Sequence, residues 1–121
     1  MTQIILSFGA IYGMLAVIFG AFGAHALKKK LDQEQLKAFE TGVKYQMYHA
    51  LVLLVIGFSL PEPNTLLGWS FILGIFLFSF SIYGLVLTDA FGNKWKALGP
   101  VTPLGGLLLV LGWATLLWHV I

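Results

Sequence analysis

LKKKLDQEQLKAFETGVK, residues 27–44, decides how this chain is read. It is the one stretch dense in charge, and long apolar runs flank it. It holds Lys28, Lys29, Lys30, Lys37 and Lys44, five of the seven cationic side chains, and Asp32, Glu34 and Glu40, three of the five acidic ones. Outward from it the composition is that of a membrane protein. Of the 121 residues, 59% are apolar and 10% charged, against roughly a quarter charged in soluble domains. The mean hydropathy is +0.90. So little polar surface cannot cover a water-soluble globule, and the length suits a single domain.

Within the stretch, Asp32 and Gln35 have the spacing of a capping box. Leu36, Phe39, Val43 and Met47 then recur at helical spacing, with Lys37, Glu40 and Lys44 off that line. This predicts a short amphipathic helix at the interface, with a bend at Thr41-Gly42 before a membrane span. Residues 1–27 carry no charged side chain, enough to cross a hydrocarbon core of about 30 Å. Ala24-His25-Ala26 resembles a signal-peptide cleavage site, but the cationic residues follow the apolar run instead of preceding it, which favours a retained span. Further runs predict four spans at about 4–26, 43–60, 66–88 and 98–120. Pro61-Glu62-Pro63-Asn64 separates the second from the third, and a turn at Gly92-Asn93 the third from the fourth. The expected fold is an all-α integral membrane four-helix bundle with the amphipathic segment between spans one and two.

All seven Lys fall in or beside the loops after spans one and three. The Lys/Arg bias of short loops sets orientation, so this side is expected to be cytoplasmic, with the first and last residues outside. Trp69, Trp113 and Trp118 are expected near the outer interface and Trp95 near the inner one. Membrane lipids are the expected partners and nucleic acid is not, since no basic face with interleaved aromatics exists. Gly9, Gly13, Ala16 and Gly20 form a small-residue stripe suited to close helix packing. It is read as a seam, either to a helix of this chain or to a second copy in a homo-oligomer. Ser70, Gly74, Ser81, Gly84 and Thr88 form a similar stripe on span three.

Polar residues gather toward the lysine side: His25, Tyr45, Gln46, His49, Tyr83, Thr102 and Gly105 are the candidate ligand-binding residues. His49 is expected about one turn below the interface, sharing a face with Gly42 and Gln46. Two readings stand for His25 and His49. Each imidazole ties two helices by a hydrogen bond, or the pair flanks a cleft for a lipid headgroup, a quinone or a metal. The metal version is the weakest, because no ligand spacing exists; no catalytic set, metal site or cofactor is assigned. With no Cys, thiolate chemistry is excluded. Span one has no acid, which argues against a proton-coupled exporter.

The run Gly20-Ala-Phe-Gly-Ala-His25-Ala-Leu27, with Thr41-Gly-Val-Lys-Tyr45-Gln-Met-Tyr-His49-Ala-Leu51, resembles the domain-of-unknown-function family 423, grouped with the eukaryotic transmembrane protein 256. Leu98-Gly-Pro-Val-Thr102-Pro-Leu-Gly105-Gly106 is similar to that family's last-helix pattern. Phe78-Ser-Phe-Ser-Ile-Tyr83 resembles its third-helix motif except at Phe80, where the family pattern has Gly and a ring would fill a close-packing point. The resemblance covers essentially the whole chain. It implies a small four-helix membrane protein of a bacterial inner membrane and no reaction. The expected function is therefore non-enzymatic, with a cytoplasmic-side polar cleft that binds lipid or another amphiphile. The alternatives are a small transporter or channel, or a structural subunit of a larger membrane complex.

Overall fold

The computed structural model describes the backbone of residues 1–121 and every side chain except that of Ala24. Four long helices run alternately up and down: α1 Thr2–Leu27, α2 Gln33–Ser59, α3 Thr65–Ala90 and α4 Val101–Val120. A 3₁₀ turn, Lys96–Leu98, precedes α4. By length and composition α1, α3 and the segment Lys96–Val120 can each cross a membrane. The chain is thus an all-α membrane helical bundle.

The caps explain where the helices begin and end. Asp32 accepts from the Gln35 amide at 2.7 Å while Gln35 Oε1 accepts from the Asp32 amide at 3.0 Å, so the capping box forms as the spacing predicts. Asn64 caps α3 by accepting from the Leu66 amide at 2.7 Å. At the far end of α3 Gly92 takes φ +83°, which lets the Asn93 and Gly92 amides donate to the carbonyls of Thr88 and Asp89. That is the Schellman closure, and a side chain at Gly92 would resist it.

The helix does not break at Thr41-Gly42, where a bend is expected. α2 is unbroken from Gln33 to Ser59, and the amphipathic segment is its first half, not a separate element. Gly42 is a notch that receives a neighbour: a Cβ there would meet the Tyr83 ring at 2.8 Å. The irregular backbone lies elsewhere, in π turns at Ile18–Gly23 of α1 and Phe76–Phe80 of α3.

Packing follows the small residues, since lipid gives helices little hydrophobic reason to associate and close van der Waals contact must serve instead. The stripe on α1 faces α2 of the same chain. Gly9 sits against Leu54 and Ala50, Gly13 against Ala50 and Gly20 against Val43, while Ala16 is buried. Within the chain this stripe forms an intramolecular seam, closed at Gly9 and Ala16, partly covered at Gly13 and open at Gly20, which stays exposed. α3 holds α4 through Gly74, which meets Leu109, and Ser81, whose Oγ is hydrogen-bonded to Thr102 Oγ1. Phe80 does not intrude on that seam. Its ring turns to Tyr12, Phe19 and Phe76, at centroid separations of 6.2, 6.3 and 5.2 Å.

The closest helix approach is at Gly105. A Cβ there would fall 2.7 Å from the Leu77 carbonyl carbon and 2.8 Å from Phe78 Cα, both backbone atoms of the α3 π turn. At Gly106 the nearest atom is 3.7 Å away on the Phe78 ring. Gly105→Ala should therefore destabilise the bundle by about 1–3 kcal/mol, and Gly106→Ala should be near neutral. Equilibrium unfolding in mixed micelles measures both; equal effects would contradict this packing.

Candidate functional site

Gln46 has no solvent exposure and lies between three helices. Its Nε2 donates to the Tyr12 carbonyl at 2.8 Å and its Oε1 accepts from Tyr83 Oη at 2.7 Å. Tyr12 Oη in turn donates to the Ile72 carbonyl at 2.9 Å. One turn away, Ser79 in the π turn donates to the Gly42 carbonyl at 2.7 Å. Among the described residues no buried side-chain nitrogen or oxygen lacks a partner. Gln46 and Tyr83, both expected in an open cleft, therefore belong to a closed hydrogen-bonded knot.

The open feature lies between α2 and α4, whose backbones stay apart and are bridged by α3 beneath them. A recess of about 510 Å³ is lined there by Tyr45, Tyr48, His49, Phe78, Gly106 and Trp113, with Val52, Leu109 and Val110 completing its walls. At Val52 and Trp113 it continues into an apolar slot of about 300 Å³ bounded by Leu51, Val55, Ile56, Ser59, Leu60 and Leu116. From Tyr45 to Leu60 the crevice extends about 22 Å along the helix axis.

His49 is the polar centre of the recess. Its Nδ1 lies 2.7 Å from the Tyr45 carbonyl, and Trp113 Nε1 lies 3.1 Å from its Nε2. An indole N–H only donates and a carbonyl only accepts. Together they fix the neutral imidazole with its proton on Nδ1 and Nε2 as acceptor. Aromatic rings surround it: Tyr45 stacks on it at 6.1 Å and Phe71 lies at 5.8 Å, while Phe78 is 4.9 Å from Tyr45.

The structure thus divides the seven sequence-nominated residues. Tyr45 and His49 line the recess; Gln46 and Tyr83 close the knot; Thr102 and Gly105 join α3 to α4. His25 is exposed near the lysine end. Gly23, two residues before it, packs against Phe39, which places His25 about ten α2 residues, or about 15 Å, from His49. The two imidazoles share no cleft. His49 lies about 24 Å along α2 from Gln33 and about 7 Å beyond Lys44. Trp113, expected in the outer aromatic belt, pairs with His49. Among the described residues no three His, Asp or Glu side chains gather at metal-binding spacing.

Sequence reasoning missed Trp113, Phe78 and Tyr48 in the recess and Tyr12 and Ser79 in the knot. A signal existed for some of them. Gly106, Val110 and Trp113 fall on one face of α4 at i, i+4 and i+7, as Tyr45, His49 and Val52 do on α2. No such signal links the two faces to each other.

The family model described as "Protein of unknown function (DUF423)" matches residues 19–106. A membrane protein of Staphylococcus aureus (strain bovine RF122 / ET3-1), UPF0382 membrane protein SAB0533, is 41% identical over 118 residues, 95% of this chain and 93% of its own. UPF0382 membrane protein YwdK of Bacillus subtilis (strain 168) is 40% identical over 116 residues, 92% and 90% of the two chains. No solved structure gives a significant match.

Tyr83→Phe removes the donor to the buried Gln46 Oε1 without changing shape. It should destabilise the protein by about 1 kcal/mol, the scale of an interhelical hydrogen bond in a membrane. In a double-mutant cycle with Gln46→Leu the two losses should be less than additive; full additivity would show that the knot does not act as a unit.

Proposed function

Because the chain belongs to the DUF423 family, whose relatives named above are membrane proteins, we propose from its geometry that it is a non-enzymatic binding protein for a membrane amphiphile. The crevice between α2 and α4 takes the apolar tail, and the His49–Trp113 pair meets the polar group. The observation that carries this reading is a recess of about 510 Å³ whose mostly apolar wall has a hydrogen-bonded imidazole and indole set into it. Binding sites of this size are mainly apolar with a few placed polar groups. The site opens sideways between helices, which suits a ligand that arrives through the bilayer.

In this reading α2 also crosses the membrane, giving four spans. Its polar first half is tolerated because Gln46 and His49 turn inward to partners while Lys37 and Lys44 stay near the charged end. That end, which carries every Lys, faces the cytoplasm of a bacterial cell, and Met1 and Ile121 lie outside. Self-association through Gly9, Gly13, Ala16 and Gly20 is not part of this reading, in which Gly9 and Gly13 serve the seam to α2.

Gly106→Leu places a side chain over the Phe78 ring and into the recess. Native mass spectrometry of the purified wild-type protein should show a retained amphiphile that this variant loses. Absence of an adduct from both, or an adduct indifferent to the substitution, would remove the crevice as the site. The lack of any Cys makes orientation simple to read with single-cysteine variants. In intact cells Asn64→Cys should react with a membrane-impermeant maleimide and Asn93→Cys should not; the reverse pattern would invert the topology.

A further inference from the structure

We infer that the ligand of the α2–α4 recess is a quinol: a flat, uncharged ring bearing a free hydroxyl, attached to an apolar tail. This rests on the binding reading above and adds the chemical class. Three observations lead to it.

The first is the charge of the lining. No residue that lines the recess is charged, and His49 accepts from an indole and so is neutral. Lys44, next to Tyr45 in sequence, is exposed outside it. A charged group drawn into the recess would lose water with no charged wall residue to meet it, so the polar part of the ligand is uncharged.

The second is the direction of the hydrogen bonds. His49 Nδ1 is committed to the Tyr45 carbonyl, so Nε2 can only accept, and Trp113 Nε1 can only donate. A ligand that takes the place of this contact must give a proton to one and accept a hydrogen bond from the other. A single hydroxyl does both. The two nitrogens are 3.1 Å apart, so the indole must swing aside to admit an oxygen. It is 47% exposed, on the open side of the recess, and has room to do so. An ether accepts but cannot donate. An oxidised quinone likewise only accepts, and it would leave Nε2 without a donor among apolar and aromatic walls.

The third is the wall. Tyr45, Tyr48, Phe78, His49 and Trp113 surround the polar pair with ring faces and edges. Offset and edge contacts between rings add attraction beyond area, so a planar head is favoured over a branched one. The narrower slot beyond Val52 is lined by aliphatic residues, Leu51, Val55, Ile56, Leu60 and Leu116, and fits a tail.

The test uses the wild-type protein in micelles, stripped of retained lipid, and four probes with the same ten-carbon chain: decyl-hydroquinone, its dimethyl ether, decyl-benzoquinone and decanol. Native mass spectrometry titrations give the relative affinities. The hydroquinone should bind about tenfold more tightly than its dimethyl ether, the effect of one or two hydrogen bonds, with the quinone weaker than the hydroquinone and decanol weaker again. Trp113→Phe, a change on an exposed side chain that keeps an aromatic ring, should shrink the gap between hydroquinone and ether. Equal binding of hydroquinone and ether overturns the quinol assignment but leaves a tail-binding crevice. Decanol binding as tightly as the hydroquinone overturns the ring and leaves the hydroxyl. If no probe binds and Gly106→Leu does not affect the retained lipid, the binding reading falls with it.

Discussion

The bundle depends on one buried amide. Gln46 donates to the backbone of α1 and accepts from the Tyr83 hydroxyl of α3. Its place on α2 thus sets the rotation of three helices about their axes. In hydrocarbon an unpaired amide has no water to turn to, so arrangements that leave it unpaired are disfavoured. Specificity, more than net stability, is the consequence, because individual interhelical hydrogen bonds in membranes contribute only about 1 kcal/mol.

Close approach does the remaining work, and it leaves a gap. α1 lies against α2 at Gly9 and Gly13, and α4 against α3 at Gly74, Gly105 and Gly112. Two tight pairs joined through the centre leave α2 and α4 apart at the side, and the recess is that separation. The π turn at Phe76–Phe80 serves both features. It presents Ser79 to the Gly42 carbonyl on one side and receives Gly105 against its backbone on the other. π turns are often found at functional sites, and this one also supplies Phe78 to the recess wall.

The lysine end is organised separately. Gln35 Nε2 donates to Asp89 at 2.9 Å, linking the start of α2 to the end of α3, and the Lys30 ammonium lies 5.3 Å over the Phe91 ring. The loop after α3 is drawn back by the Trp95 amide, which donates to Thr88 Oγ1. The charged stretch that decides the sequence reading thus acts as a clasp between helix ends, away from the recess.

Several features were legible without coordinates because their causes are local or compositional. The capping box at Asp32 and Gln35 needs only three residues of spacing, the helix lengths follow from apolar runs, and the small-residue stripes from a 3.6-residue period. His49 was recognised as a buried polar residue for the same reason: it shares a face with Gly42 and Gln46. The partner of each face was not legible. Whether the Gly9 stripe met α2 or a second copy, whether Gly42 bent the helix or received Tyr83, and whether Tyr83 opened a cleft or closed a knot all depend on helix rotation and depth. Trp113 reaches His49 across 64 positions of sequence, and no local pattern encodes such a pairing. By itself the sequence determined an all-α membrane chain with its lysines gathered at alternate helix ends, because hydrophobicity and capping act within a few residues. Only the tertiary structure decided that its polar interior is sealed and that its open site lies sideways between α2 and α4, because those outcomes depend on which faces meet.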